Sequence, residues 1–493
     1  MTIPATTPSG TKIGFVSLGC PKNLVDSEVM MGLLQRAGAT ITVDAANADV
    51  LVVNTCSFID KAKQESVDTI LEMARLKTDG RAQRLVVAGC MVERYRDEIQ
   101  KNIPEVDAVV GTGELEGILA AAGLTQPLTS NSPFRILTTA EATAATRSSR
   151  AEGDAREAQG RFSREGWDGA IADLPNYLYD ETTPRLRTTL RASAYIKIAE
   201  GCDHPCGFCI IPQLRGKFRS RRFESVVAEA QRLVAEGVQE ITLIGQDTTC
   251  YGEDLGMIDG LAQLLDALAK IDGLRWLRFL YAYPNKVTPR LLETMARHDN
   301  ICKYLDVPLQ HASPAVLKRM KRGGGAEIFL KMLERARAAM PQIALRTSFI
   351  AGFPGETAAD FDVMLDFVKE ARFDWLGVFQ YSDEEGSAAY ALDGKVPKRS
   401  ITARQNRLMR EQQKISRKAR AMLVGQTMDV LVEGESEETP LLWQGRSERH
   451  APQIDGVVYV NDFGPYMALE SGRFYRCEVT EAHDYDVVAR VVA

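Results

Sequence analysis

No run of apolar residues in this chain approaches the length needed to span a bilayer. The N-terminal Met-Thr-Ile-Pro-Ala-Thr-Thr-Pro-Ser-Gly also lacks a basic stretch followed by an apolar core. Both absences predict a cytoplasmic protein with no membrane partner. Positive charge is not in excess either: the formal net charge is -6, which excludes a molecule whose whole surface tracks nucleic-acid phosphates and leaves only local basic patches. Large apolar residues are nearly absent from 138–172, where Ala, Thr, Ser, Gly, Arg and Glu dominate. Such a segment buries too little apolar surface to offset its ordering entropy, so it reads as a flexible insertion within a linker, 128–187. Lysine is missing from 425–493, which carry thirteen acidic residues against five arginines, a net of -8. Glu433, Glu435, Glu437, Glu438, Asp484 and Asp486 are among those acids. A surface of that sign repels RNA and attracts a basic protein.

What is present argues for an α/β multidomain chain. At 493 residues and 45% hydrophobic content, two to three domains are expected. Residues 11–127 alternate β-like runs with helical periodicity, including Leu24, Val25, Val29, Met30, Leu33 and Leu34 on one helix face, and read as a doubly wound parallel-sheet domain. Within 188–424, six strand-like runs recur at 194–199, 240–245, 275–281, 303–309, 343–350 and 375–381, the pattern of an open, partial (β/α)6 barrel. A long helix over 397–424 carries nine Lys or Arg against Glu411. It reads as a solvated connector that leaves room for a contact with ribosomal RNA. Short β-like runs at 428–433, 457–460, 475–480 and 487–492 predict a small antiparallel β-barrel, TRAM-like, over 425–493.

The nine cysteines divide into three groups. Cys202, Cys206 and Cys209 are spaced C-x3-C-x2-C just after the apolar run 194–199. Three thiolates in eight residues suit three irons of a four-iron cluster, with the fourth iron left open. Zinc is the bland alternative, with His204 as the nearby candidate to complete a tetrahedron; a disulfide suits a chain without secretory features less well. Cys20, Cys56 and Cys90 each end a β-like run, 36 and 34 residues apart. Parallel strands joined through helices put their carboxyl ends on one sheet edge, so three distant thiols can meet there. The alternative is three small buried hydrophobes. Cys250, Cys302 and Cys477 read as ordinary buried or partly buried thiols.

The cysteine loop resembles that of radical S-adenosylmethionine enzymes. That resemblance implies an open iron that takes S-adenosylmethionine, with Phe208 packed against the adenine. Chemistry at the carboxyl ends of barrel strands then makes Gly245, Gln246, Gln310, Arg346, Ser348, Gly352 and Gly355 candidate contacts for the nucleotide or substrate. His311 is given no proton-transfer role.

Together with the second cysteine set, the chain resembles the methylthiotransferases over nearly its whole length, apart from 138–172. Gly19-Cys-Pro-Lys-Asn-Leu-Val-Asp-Ser-Glu28, Glu200-Gly-Cys-Asp-His-Pro-Cys-Gly-Phe-Cys-Ile-Ile-Pro212 and Gly245-Gln-Asp-Thr-Thr249 are similar to the RimO type. The tRNA branch, MiaB type, usually carries Gln-Met-Asn in place of Pro21-Lys-Asn23. Ser387 stands where threonine is common, and Cys250 interrupts a Thr-Thr-Tyr-Gly run. The resemblance implies two 4Fe-4S clusters and S-adenosyl-L-methionine. One cluster generates a 5'-deoxyadenosyl radical and the other carries sulfur to the β-carbon of an aspartate in the twelfth small-subunit ribosomal protein, free or on the ribosome. A low-potential electron donor and a monomeric enzyme are expected, with no conventional nucleophile. The rival readings are a tRNA methylthiotransferase and a metal-stabilised nucleic-acid-binding protein without catalysis.

Overall fold

The structure is a computed structural model that describes residues 10–124, 175–437, 439 and 441–492. The expected insertion at 138–172 and Glu438 lie outside the described residues.

The first domain is a five-stranded parallel sheet in the order β2-β1-β3-β4-β5. Its strands are β1 (Lys12–Ser17), β2 (Thr40–Thr42), β3 (Val50–Thr55), β4 (Arg84–Gly89) and β5 (Ala108–Val110). Helices α1 (Pro21–Arg36), α2 (Asp60–Asp79) and α3 (Cys90–Asn102) follow β1, β3 and β4. Every residue of β3 is buried, as expected of a central parallel strand covered on both faces. Pro21 opens α1 after an extended Cys20, where a missing N–H costs nothing and φ is already set.

The second domain contains two three-stranded parallel sheets. One is ordered β10-β9-β6, from β6 (Ser193–Lys197), β9 (Glu240–Ile244) and β10 (Trp276–Phe279). The other is ordered β11-β12-β13, from β11 (Tyr304–Asp306), β12 (Ala344–Ala351) and β13 (Trp375–Gln380). A bridge between Leu277 and Ile301 joins them, and no ladder among the described residues joins β6 to β13. The barrel is therefore partial. A short hairpin, β7 (Ala199–Glu200) with β8 (Arg219–Ser220), brackets the cysteine loop. The basic helix Lys398–Ala421 buries Ile401, Leu408, Gln412, Ser416 and Arg420 as one stripe and packs on β13. Arg404, Arg407 and Arg417 pair with Glu356, Asp362 and Asp484.

The last domain is a closed barrel in the order β14-β15-β16-β18-β17. Its strands are β14 (Thr427–Glu435), β15 (Trp443–Arg446), β16 (Val458–Asp462), β17 (Phe474–Ala482) and β18 (Val487–Val491). The expected antiparallel barrel needs one correction, because β16 and β18 run parallel. Five strands cannot alternate direction all the way round a ring, so one pair must be parallel. Within this barrel β15 is the strand absent from the sequence reading; Trp-Gln-Gly-Arg has one apolar residue and no alternation to reveal it.

Barrel polarity positions the site. The last domain seats on the amino-terminal ends of the strands: Arg446 pairs with Glu240 at 2.7 Å, Trp375 donates to the Arg449 carbonyl at 2.8 Å, and Tyr304 donates to Asp455 at 2.7 Å. The first domain covers the opposite edge. There α1 brings Asp26 against Lys197 at the end of β6 and Lys22 over Tyr281 just after β10.

Candidate active site

The loop after β6 is held from several sides. The Cys202 N–H donates to the Gly216 carbonyl at 3.2 Å, the Gly207 N–H to Met320 at 2.8 Å, and the Ala389 N–H to Gly207 at 2.7 Å. Its sulfurs receive donors: Arg322 approaches Cys206 Sγ at 3.3 Å and the Ile211 N–H approaches Cys209 Sγ at 3.5 Å. Arg322 lies over the Tyr283 ring, 4.5 Å from its centroid. On that ring His204 is stacked at 3.8 Å while its Nε2 meets Asp247 at 2.6 Å. Burial pushes the Cys202 thiol up to about 12 and the Cys209 thiol higher still.

The second thiol set forms where three adjacent strands end. Cys20 precedes α1, Cys56 follows β3, and Cys90 is the first residue of α3. Gly19, at φ +91, makes the approach possible, since a Cβ there would stand 2.9 Å from the Cys56 Cβ. The Cys56 N–H donates to Ser66 Oγ at 3.0 Å. Cys90 is pushed up to about 12 by burial against the pull of Arg215, and the charges of Cys56 and Cys20 add to the rise.

One buried network joins the two sets. Arg215, six residues beyond Cys209, donates to Cys90 Sγ at 3.3 Å, to Asn23 Oδ1 at 2.7 Å and to Asp26 at 2.5 Å. Lys197 bridges Asp26 and Glu200. Glu200 also accepts from Gln246 Nε2 at 2.5 Å. Burial opposes the Glu200 charge, but Lys197 and Arg215 outweigh it and hold the carboxyl well below the usual range. Charges this deep persist only because each is paired; removal of one partner strands the others.

The residues picked from sequence separate into groups. Gln246 joins the network, and its Oε1 is buried with no hydrogen-bond partner among the described residues. Gly245 sits beside the Ala199 carbonyl, and Phe208 packs half-buried against the barrel core. Gln310 adopts φ +71, with its N–H on the Ser348 carbonyl at 2.8 Å. The turn Gly352–Gly355 closes on this chain's own groups: Glu356 accepts from the Gly352 N–H at 2.6 Å, and Cβ atoms at Gly352 and Gly355 would strike Ile401 and Arg319. Arg346 is engaged elsewhere, with Asp306 at 2.7 Å and Asp455 of the last domain at 3.4 Å. Missed from sequence were Lys22, Asp26, Lys197, Arg215, Tyr281 and Arg322. Lys197, a cation inside an otherwise apolar strand, was the available signal.

The donor set fits iron–sulfur clusters better than a single ion. A tetrahedral zinc holds sulfurs about 4 Å apart. Among the described residues, however, neither cysteine set brings three ligand atoms within 4.8 Å of one another. His204, Asp247 and Cys250 do so, and they are already joined by hydrogen bonds at 2.6 and 3.1 Å. N–H groups aimed at sulfur suit thiolate ligands, whose charge they stabilise. The unpartnered Gln246 Oε1 suits a donor on a bound nucleotide. Cys302 and Cys477 are buried within apolar clusters, and among the described residues no helix is long and apolar enough to cross a membrane.

Three family models match the chain: Uncharacterized protein family UPF0004 over residues 12–111, the Radical SAM superfamily over 196–368, and the TRAM domain over 424–492. A protein of Koribacter versatilis described as ribosomal protein uS12 methylthiotransferase RimO is 66% identical, covering 99% of this chain and 97% of its own length. One of Solibacter usitatus with the same description is 55% identical over 98% and 95%. Among solved structures, the radical S-adenosylmethionine methyltransferase TsrM of Kitasatospora setae, with cobalamin and a [4Fe-4S] cluster bound, superposes with a TM-score of 0.50. It is 14% identical, covering 75% of this chain and 72% of that one, which shows a shared fold alone. With two full-length relatives above half identity and all three domains matched, the chain belongs to the RimO family of radical S-adenosylmethionine methylthiotransferases.

Proposed function

We propose that this chain adds a methylthio group to the β-carbon of an aspartyl residue in ribosomal protein uS12, free or on the ribosome. It does so as a cytoplasmic monomer served by a low-potential electron donor. In this reading Cys202, Cys206 and Cys209 hold one 4Fe-4S cluster, and Cys20, Cys56 and Cys90 hold a second. Phe208, Gly245, Gln246, Gln310, Ser348 and the Gly352–Gly355 turn surround S-adenosylmethionine. Arg346 is left out because Asp306 and Asp455 occupy it. When bound, these groups supply one-electron chemistry that reaches an unactivated carbon, which acid–base catalysis cannot address at that position.

The protein's own part is placement. Arg322 and the Ile211 N–H stabilise the loop thiolates. Arg215, Lys197, Asp26 and Glu200 fix the separation of the two thiol sets and exclude water from between them, since each is at most 3% exposed. The observation that carries the reading is this shared network, in which one guanidinium touches a strand-end cysteine while belonging to the cysteine loop's own domain. Among the terminal acids, Glu433, Asp484 and Asp486 are satisfied within the chain, while Glu435 and Glu437 are exposed and free to meet a basic protein. The test is mass spectrometry of uS12 and of bulk tRNA from cells with and without the chain. Loss of the methylthio group from uS12 alone is expected; its loss from tRNA alone would overturn the substrate. Recovery of zinc without iron and sulfide would overturn the enzyme reading.

A further inference from the structure

Lys197, Arg215 and Lys22 are among the cations at the junction of the first two domains. The first two are matched, Lys197 by Asp26 and Glu200 and Arg215 by the same pair. Lys22 is not. It is only 9% exposed, yet among the described residues no carboxylate lies within ion-pairing distance of it. Its Nζ stands 3.3 Å from the centroid of the Tyr281 ring. A cation–π contact offsets part of the cost of burying an ammonium, and an anion is needed for the rest.

Where this ammonium sits says what the anion is. Lys22 is two residues from Cys20, on the first turn of α1, and it reaches across to Tyr281, just past β10 on the carboxyl edge of the barrel. It therefore spans the gap between the strand-end thiols and the barrel edge on which the cysteine loop lies. Tyr281 is held in place at some cost, at φ +65 with its N–H on Asp306 at 3.0 Å. Strained backbone of this kind persists where the surroundings over-determine it and clusters at functional sites. The strand-end set already has its own cation, Arg215 on Cys90.

We infer that Lys22 is the receptor for the substrate's side-chain carboxylate, binding the aspartyl residue that is modified and fixing its β-carbon between the two thiol sets. The inference rests on the uS12 reading. The carboxylate is one bond from the β-carbon, so an ion pair at Lys22 fixes the reacting atom more tightly than contacts to the rest of a protein substrate would. It also selects aspartate over asparagine, because a neutral amide leaves the buried ammonium without its anion.

The test uses the full-length chain, reconstituted with iron and sulfide, and two forms of uS12, one with the target aspartate and one with asparagine in its place. Wild-type chain is expected to bind the aspartate form roughly ten- to a hundredfold more tightly than the asparagine form. In Lys22→Met that ratio falls to about one through loss of affinity for the aspartate form, with iron and sulfide content unchanged; Lys22→Arg keeps the preference. Two results overturn the inference while leaving the parent reading intact: a Lys22→Met ratio equal to wild type, or loss of iron from Lys22→Met without a change in ratio. The second would make Lys22 a counter-charge for the Cys20 site. Failure of the iron-loaded wild type to bind either form would instead bring down the uS12 reading, and this inference with it.

Discussion

The two cysteine sets are built by opposite means. Cys202, Cys206 and Cys209 lie within eight residues on one loop, so their proximity is a local property of the chain, anchored by β6 and the β7–β8 hairpin and held further by Met320, Ala389 and Arg322. Cys20, Cys56 and Cys90 are 36 and 34 residues apart and meet only because β1, β3 and β4 are neighbours in a parallel sheet. A local set survives disturbance of its surroundings; a set made by topology fails with the fold that makes it. The shared network ties the second to the first, through Arg215 on Cys90.

The sharpest way to separate the sets is to remove one thiol from each. Cys206→Ala is expected to abolish reductive cleavage of S-adenosylmethionine, with deoxyadenosine falling to background, because the loop cannot supply a replacement ligand. Deoxyadenosine at the wild-type rate would refute the loop assignment. Cys56→Ala should keep cleavage and lose methylthio transfer to uS12. Loss of both activities from a folded variant that retains iron on the loop would erase the distinction between the sets.

A smaller effect probes the tie between them. Arg215→Met removes the guanidinium that balances Asp26 and Glu200, and stranding buried carboxylates costs about 3–5 kcal/mol. The variant should melt well below wild type and lose iron from the strand-end set before the loop set. Equal iron loss from both would mean that the network holds the whole interface and not one site.

Acid should loosen the barrel at both ends. Glu240, beneath the last domain, is opposed by burial yet held to about 2 by Arg446 and Arg278, and Glu200 at the other end is likewise depressed. Unfolded carboxyls titrate near 4.3, so as pH falls the unfolded chain binds protons first. The stability from these pairs is complete above about pH 4.5 and is lost as pH drops toward 2. Denaturant midpoints measured downward from neutral pH should fall in that window, and Glu240→Gln should flatten part of the fall; an unchanged profile would remove Glu240 as its source.

The smallest effect is expected at the far end of the molecule. Replacement of Glu435, Glu437 and Glu438 by lysine should weaken uS12 binding several-fold, more at low salt than at high, and leave substrate-free cleavage of S-adenosylmethionine intact. The last domain sits on the barrel edge opposite the thiols, so Glu435 and Glu437 can steer a substrate and cannot touch the reacting carbon. Unchanged affinity, or tight salt-sensitive binding of tRNA by the wild type, would remove that steering role.

Much of this was legible in the sequence, for physical reasons that differ by region. All six barrel strands announce themselves because each is a short run rich in apolar residues between turn signals, and four of them are buried throughout. The three strand-end cysteines do so because a thiol at the same place after three such runs implies one sheet edge. β15 was not legible, since a short strand with one apolar residue leaves no periodic trace. Nor was the role of Arg346: the position of an arginine on a strand does not reveal that Asp455, more than a hundred residues later, will reach it. The junction network was hidden for the same reason. Lys197 and Glu200 immediately precede the loop, but Asp26, which Lys197 also pairs with, comes from another domain, and no spacing rule connects them.

The central claim is that the chain carries two separate cysteine-held clusters, one local and one made by topology. Its most direct test is iron and acid-labile sulfide per chain, measured on anaerobically reconstituted wild type and on two triple variants. One replaces Cys20, Cys56 and Cys90 with alanine, the other Cys202, Cys206 and Cys209. The account predicts that each variant binds half of the wild-type iron and sulfide. Wild-type content in either variant, or complete loss in both while they remain folded, would contradict it.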